Sequence, residues 1–376
     1  MYFQLNEEQL MFRQAVRGFS EKELKPLARE IDEAASFPTG LLPKMAAIGL
    51  LGMAVPEEYE GSAVDSVSMA IAIEEIGRVC GSTGLSIAAH TGLGCFPINR
   101  WGTQPQKARW LPLLARGDAL GALCLTEPGA GSDLRSIQTR AVQSGDEWVV
   151  TGNKAWITNP SLAAVMVVFV RMEDEFGMVL VETDRPGVTV HPHERKMGVR
   201  GSPTHQVSFD QVHVPLDHTL GKPGHGLRQT LETLDGGRIS IGALSVGIAQ
   251  GAMEEAVRYA RERVAFGKPI AEFEAIQWMI ADAGTEIEAA RLMVYRAAWL
   301  KEQGLRFTRE AAMAKLFATE MGERVTRNAV QILGSYGYSQ EYPVERMYRD
   351  ARLMTIGEGT SEVQRLVIAR QVMAMV

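Results

Sequence analysis

The sequence predicts an α+β protein in three consecutive blocks: helical over 1–118, β-rich over 119–226, and helical again over 227–376. Three observations carry that reading. Apolar residues recur at helical spacing in both end blocks. The middle consists of short β-prone runs separated by Gly, Pro, Asn and Asp. The last block contains patterns long enough for a helical bundle.

In the first block, amphipathic stretches cover Glu8–Ile31, Ser66–Arg78 and Gln106–Ala115, punctuated by Pro56, Gly61, Gly92 and Gly94. The middle block offers strands at Glu147–Thr151, Val165–Arg171, Met178–Glu182 and Gln206–Phe209. In the third, Ile241, Leu244, Ile248, Ala252, Ala256 and Tyr259 form one stripe at i, i+3/i+4 spacing. Two more long helices follow, at Glu274–Gln303 and Thr308–Leu333. Ser361 and Gln364 have capping-box spacing, which starts a last short helix at about Glu362.

Composition narrows the function classes. A chain of 376 residues with 46% hydrophobic and 22% charged side chains reads as a soluble globular protein of two or three domains. A net charge of −6 gives no footprint for nucleic acid. Three cysteines (Cys80, Cys95, Cys124) without a CxxC pairing predict a reducing, cytoplasmic setting with no zinc site. No apolar run reaches membrane-spanning length, and acidic Glu7 and Glu8 exclude a signal or transit peptide. His191 and His193 alternate as strand residues do and have no third ligand nearby, so no metal is expected.

Two short motifs could carry chemistry. Gly357-Glu358-Gly359 sets a carboxylate between glycines at the mouth of the last helix, where it could reach a substrate as a base. Within Cys124–Asp133, Gly129-Ala130-Gly131 could turn backbone N–H groups toward an anion or a heteroaromatic edge. It is no dinucleotide fingerprint, because the third glycine is absent. Read alone, each motif is better explained as an ordinary polar turn.

Together they closely resemble the acyl-CoA dehydrogenase family. The resemblance rests on Thr126-Glu127-Pro128-Gly129-Ala130-Gly131-Ser132-Asp133 and Gly357-Glu358-Gly359-Thr360-Ser361-Glu362. It extends over Gly52–Tyr59, Lys154–Asn159, Arg263–Pro269, Gln331–Gly334 and Tyr348–Ala351, essentially the whole chain. The resemblance implies a middle β-barrel-like domain, a C-terminal four-helix bundle, and FAD held between them with an acyl-CoA thioester on the flavin face. It places Leu123, Leu125, Thr126, Trp156, Ile157 and Thr158 at the flavin. Arg263, with Phe266 and Glu274, would reach the FAD diphosphate of a neighbouring subunit. Gln331, Gly334 and Ser335 would close over the same cofactor, and Thr360, Ser361 and Glu362 would contact it. Substrate contacts are implied for Ser132, Asp235, Arg238, Gly357 and Gly359, and more weakly for Ser202. A site shared in this way implies a homotetramer, as a dimer of dimers.

The implied reaction is α,β-dehydrogenation of a fatty acyl thioester. Glu358 takes the α-proton, FAD accepts the hydride, and electrons pass to an electron-transfer flavoprotein. Some branched-chain relatives carry the base just before the arginine of Asp235-Gly236-Gly237-Arg238. Here that position is Gly237, which leaves Glu358. Where straight-chain relatives have Tyr beside the base this chain has Gly357, so a short or branched acyl group is expected. Glu274 stands where relatives have Gln, and Ser335 where they have Gly. An ionised Glu274 cannot donate to a diphosphate, so it either pairs with a cation such as Arg263 or loses the contact. An oxidase or monooxygenase using O2, and a catalytically silent flavoprotein, are the competing readings.

Overall fold

The structure is a computed structural model describing residues 4–173 and 175–375. The N-terminal block holds α1 (Glu7–Phe19), α2 (Ala28–Glu33), α3 (Leu42–Ala47), α4 (Ser66–Gly77), α5 (Gly81–Ala89), α6 (Phe96–Trp101) and α7 (Gln104–Arg116). Asn6 starts α1 with a capping box, accepting from the Gln9 N–H while the Gln9 side chain returns to the Asn6 N–H. The single helix expected over Glu8–Ile31 is interrupted. A wide turn at Ser20–Leu24 and a 3-10 turn at Lys25–Leu27 separate α1 from α2, because Pro26 has no N–H to continue the ladder. Gly92 and Gly94 do not end a helix as expected; helical turns continue through His90–Cys95 into α6. Gly94 instead permits close packing, since a Cβ there would stand 2.5 Å from the Gly121 Cα.

The middle block contains β1 (Leu120–Cys124), β2 (Arg140–Ser144), β3 (Glu147–Thr158), β4 (Ala163–Met172), β5 (Glu175–Glu182), β6 (Val188–Val190) and β7 (Thr204–Pro215). They form a seven-stranded sheet in the order β1-β4-β2-β3-β7-β6, with β5 on β4. Strand β4 is buried on both faces. Val165, Val167 and Phe169 pack with Ile98, Trp110 and Leu111 of α6 and α7. Met166, Val168 and Val170 turn the other way, into an interior shared with Val179, Val181, Val207 and Phe209. Two-sided burial explains why β4 reads as a continuous apolar run.

The third block runs through α8 (Gly226–Glu262), a two-residue hairpin of β8 (Val264–Ala265) and β9 (Lys268–Pro269), then α9 (Glu274–Glu302), α10 (Thr308–Leu333), α11 (Val344–Met354) and α12 (Ser361–Met373). Helices α8, α9 and α10 pack mutually, α11 lies against α8 and α10, and α12 against α10. The stripe from Ile241 to Ala256 is buried, each large side chain contributing roughly 1.5–3 kcal/mol. Helix α4 crosses α8 at Gly247 and Gly251, where any Cβ would run into the carbonyl oxygens of Glu74 and Arg78. Arg349 on α11 binds the three blocks together. It donates to Asp32 at 3.1 and 2.6 Å and to the Met197 carbonyl at 3.1 Å.

Candidate active site

Helix α12 opens one residue earlier than expected. Thr360, not Ser361, is its cap: the Thr360 hydroxyl accepts from the Val363 N–H at 3.3 Å, and the Ser361 hydroxyl is buried without a partner. Just before it, Glu358 and Gly359 both take left-handed backbone conformations, with φ 52° and 93°. For the non-glycine Glu358 this costs about 1 kcal/mol or more, so the surrounding structure must hold it. Three hydrogen bonds do so. The Gly359 carbonyl accepts from Lys315 Nζ at 2.7 Å and from Gln364 Nε2 at 2.9 Å. The Ser361 N–H donates to the Thr355 carbonyl at 3.0 Å.

The Glu358 side chain turns inward against α8. Its Oε2 is sealed from solvent and has no hydrogen-bond partner among the described residues. It packs where Gly237 has no side chain; a Cβ at Gly237 would collide with it. Burial raises the Glu358 pKa to about 7, while the charges of Lys315 and Arg238 pull it back down. A carboxyl so poised is about half ionised at neutral pH and is a stronger base than a solvated glutamate. Arg238 is itself buried, with Nη1 2.5 Å from Asp235 Oδ1, and Asp235 Oδ2 accepts from the Thr308 hydroxyl at 2.6 Å. Asp235 and Arg238 therefore pair with each other beside the carboxylate, and Arg238 Nε is left unpartnered.

A second surface is built on β3. The Thr126 carbonyl accepts from the Ala155 N–H at 2.8 Å. Below it, fully buried Lys154 reaches the Leu125 carbonyl and Glu127 Oε1, both at 2.9 Å. The Glu127 carboxylate also accepts from the N–H groups of Gln138 and Thr139. A register shift in the β3–β7 pairing between Lys154 and Ile157 turns Trp156 outward, with φ 61° and 60% of its surface exposed. Thr158, two residues beyond Trp156, and Thr126, tied to Ala155 through its carbonyl, are half-buried, and Ser132 is exposed. So exposed an indole, on so stiffly held a backbone, suits a flat apolar ligand face.

Two of the expected contacts are corrected by burial. Ile157 points into the strand-lined interior, so only its backbone is free to meet a ligand. Ser202 is fully buried and shares a 2.9 Å hydrogen bond with the Ser86 hydroxyl, which leaves it nothing to offer CoA. Leu123 and Leu125 are likewise mostly enclosed, packed under α6 and α7.

The remaining nominees gather elsewhere. Arg263, Phe266, Glu274, Gln331, Gly334 and Ser335 are all exposed, at the end of the bundle where α8 and α10 finish. Phe266 tips the β8–β9 hairpin at 96% exposure. Arg238 lies within α8 and Arg263 caps its C-terminal end, about 37 Å further along at 1.5 Å per residue. One chain thus carries two separated groups of candidate cofactor residues. Glu274 makes no ion pair with Arg263 among the described residues, so the pairing alternative is not realised within the chain.

An apolar cavity of about 280 Å³ opens between α4, α6 and α8. Met53, Val64, Phe96 and Ile239 line it, and Lys301 Nζ sits 5.0 Å over the Phe96 ring. Gly236 is part of its wall, one residue from the Gly237 surface that receives Glu358. A Cβ on Gly357 would meet no clash, only ordinary contacts with Leu353 at 3.7 Å and beyond.

Sequence reading missed Lys315, Gln364 as the clamp on the loop, and the Lys154–Glu127 pair. For Lys315 a signal existed. It falls in the buried register Ala311, Ala314, Ala318 of α10, where an unexplained lysine marks a specific partner.

Residues 6–118, 122–212 and 224–373 match the N-terminal, middle and C-terminal domains of acyl-CoA dehydrogenase. The chain belongs to the acyl-CoA dehydrogenase family. It is 51% identical to the probable acyl-CoA dehydrogenase YngJ of Bacillus subtilis, covering 99% of this chain and 100% of that protein. Among solved structures it resembles butyryl-CoA dehydrogenase from Megasphaera elsdenii, at 38% identity and a TM-score of 0.96 over 99% of this chain and 100% of that one. It also resembles an acyl-CoA dehydrogenase from Bacillus anthracis complexed with FAD, at 34% identity and a TM-score of 0.94, over 98% of this chain and 67% of that one. Membership makes the protein an oxidoreductase acting on CH–CH bonds.

Proposed function

We propose that this protein is an FAD-dependent dehydrogenase of short or branched acyl-CoA thioesters, with Glu358 as the α-proton base. One observation carries the reading: a half-buried carboxylate, with Oε2 out of reach of solvent and unpartnered, faces the side-chain-free surface of Gly237. Burial makes it a stronger base, and the charges of Lys315 and Arg238 hold its pKa at about 7, so that a substantial fraction is ionised near neutral pH.

FAD fits the residues present. Trp156 offers an exposed indole, Thr126 and Thr158 offer hydroxyls at the same edge, and Ser361 Oγ and Gln364 Oε1 are buried polar atoms awaiting partners. Bound there, FAD would supply the hydride acceptor. The chain's own contributions are binding, orientation and proton removal. The Glu358 N–H makes no hydrogen bond among the described residues, so it is free to polarise the thioester carbonyl and stabilise the developing enolate. The cavity beside Gly236 receives the acyl chain, and the open space at Gly357 leaves room for a branch.

The span of about 37 Å between Arg238 and Arg263 supports sharing of each cofactor between two copies, hence a dimer of dimers. The exposed Phe266 hairpin is suited to reach across. Electrons leave to an electron-transfer flavoprotein. The test is a panel of butyryl-, octanoyl-, isobutyryl- and isovaleryl-CoA with a dye acceptor, with and without added electron-transfer flavoprotein, on wild type and Glu358→Gln. The variant is expected to lose at least about a thousandfold in kcat. Full activity in it ends the assignment of the base, and rapid reoxidation by air favours an oxidase instead.

A further inference from the structure

We propose that Lys315 is a positioning residue for the base: its ammonium fixes the Gly359 carbonyl and supplies the uncompensated positive charge that keeps the buried Glu358 carboxylate ionised. This rests on the assignment of Glu358 above. Lys315 is fully buried in the middle of α10, and its ammonium makes no ion pair among the described residues. Its hydrogen bond goes to a backbone carbonyl, Gly359 O, at 2.7 Å. Burying an ammonium that way is expensive, and a neutral donor could do the same tethering. Gln364 shows as much, because its Nε2 already reaches that carbonyl at 2.9 Å.

The charge itself therefore needs a reason, and the groups around Glu358 supply one. From α8 the carboxylate is faced by Arg238, but Arg238 is paired with Asp235 at 2.5 Å, so that couple is nearly neutral. From α10 comes Lys315, whose own surroundings include the charges of Glu358, Glu362 on α12 and Glu320 one turn on. Glu362 is exposed and screened by solvent, and Glu320 already holds Arg365 at 2.9 Å. Glu358 is left as the buried carboxylate that Lys315 answers. Burial depresses the Lys315 pKa to about 8 and raises that of Glu358 to about 7, and in each case the charge of the other group works against the shift.

The geometry has a second effect. Two donors on the Gly359 carbonyl lock the peptide that follows Glu358, and with it the left-handed φ of 52° that aims the side chain at α8. Charge and tether are separable by substitution. Lys315→Gln keeps a donor and removes the charge, Lys315→Met removes both, and Gln364→Leu removes the other donor while keeping the charge.

The experiment follows kcat/KM for butyryl-CoA against pH on the FAD-loaded oligomers, with FAD content and assembly measured on each. Both lysine variants are expected to shift the acid limb upward by about one pH unit, and Gln to recover more of kcat above the limb than Met. Gln364→Leu is expected to lower kcat at every pH without moving the limb. A Lys315→Gln profile that superimposes on wild type overturns the proposal. So does loss of FAD or of assembly in both neutral variants, which would give Lys315 a purely structural role. Glu358→Gln run in parallel separates the two levels. If it is active, the base reading itself falls; if it is dead while the lysine variants leave the limb unmoved, only the role of Lys315 falls.

Discussion

Glu358 Oε2 occupies the space that a side chain on Gly237 would need. The absence of one residue's side chain is thus the seat of another's functional group. Because the colliding atom is the far end of a flexible chain, Gly237→Ala should fold and bind FAD. Its base would be pushed off line, and kcat is expected to fall about 100-fold. Steady-state kinetics on FAD-replete enzyme checks this; an unchanged kcat would mean that the carboxylate works from some other position.

The raised pKa of Glu358 has opposite consequences for activity and stability. Activity should rise through an acid limb near pH 7 as the carboxyl loses its proton. Stability runs the other way. A carboxyl whose folded pKa lies above its unfolded value binds its proton more tightly when folded, so that contribution is full below about pH 4.5 and is lost as pH rises through 7. At pH 8, Glu358→Gln is therefore expected to be more stable than wild type by about 1–2 kcal/mol. Thermal unfolding at matched FAD content decides it, and a less stable variant contradicts the sign.

Substrate shape should follow from the opening beside Gly357. Gly357→Tyr is expected to lower kcat/KM for isobutyryl-CoA about tenfold relative to butyryl-CoA. A clear wild-type preference for octanoyl-CoA would remove the branched-substrate reading altogether.

Arg349 offers a stability test away from the chemistry. Replacing it by Met leaves the buried Asp32 carboxylate uncompensated and frees the Met197 carbonyl, at an expected cost of about 3 kcal/mol. Urea unfolding of the holoenzyme measures the loss, and a change below about 0.5 kcal/mol shows that the clamp is ornamental.

Much of the fold was legible because helices that bury one face leave a period in the sequence. The spans expected for α9 and α10 agree with the structure to within a residue. Strand β1 left no such trace, since all five of its residues are buried and nothing alternates. The start of α12 was displaced because Thr360 and Ser361 both carry hydroxyls, and spacing alone picked the wrong one. Glu358 could be singled out from its glycines, but its neighbour was harder to see. Lys315 shares the register of buried Ala311, Ala314 and Ala318, yet a lysine in an alanine-rich helix usually runs out to solvent, and the fold shows that this one stays in. The inward side chains of Ile157 and Ser202 were hidden for a related reason: adjacency to a motif says nothing about which way a side chain points.

The length of α8 bears on how defects in this protein would combine. If Arg263 serves the copy next door, a subunit lacking Glu358 can still complete its neighbour's site, and a subunit lacking Arg263 can still use its own base. Two inactive variants co-expressed in one cell would then restore one working centre in each mixed pair. Lesions at Glu358 and at Arg263 would complement one another, as though they lay in different genes.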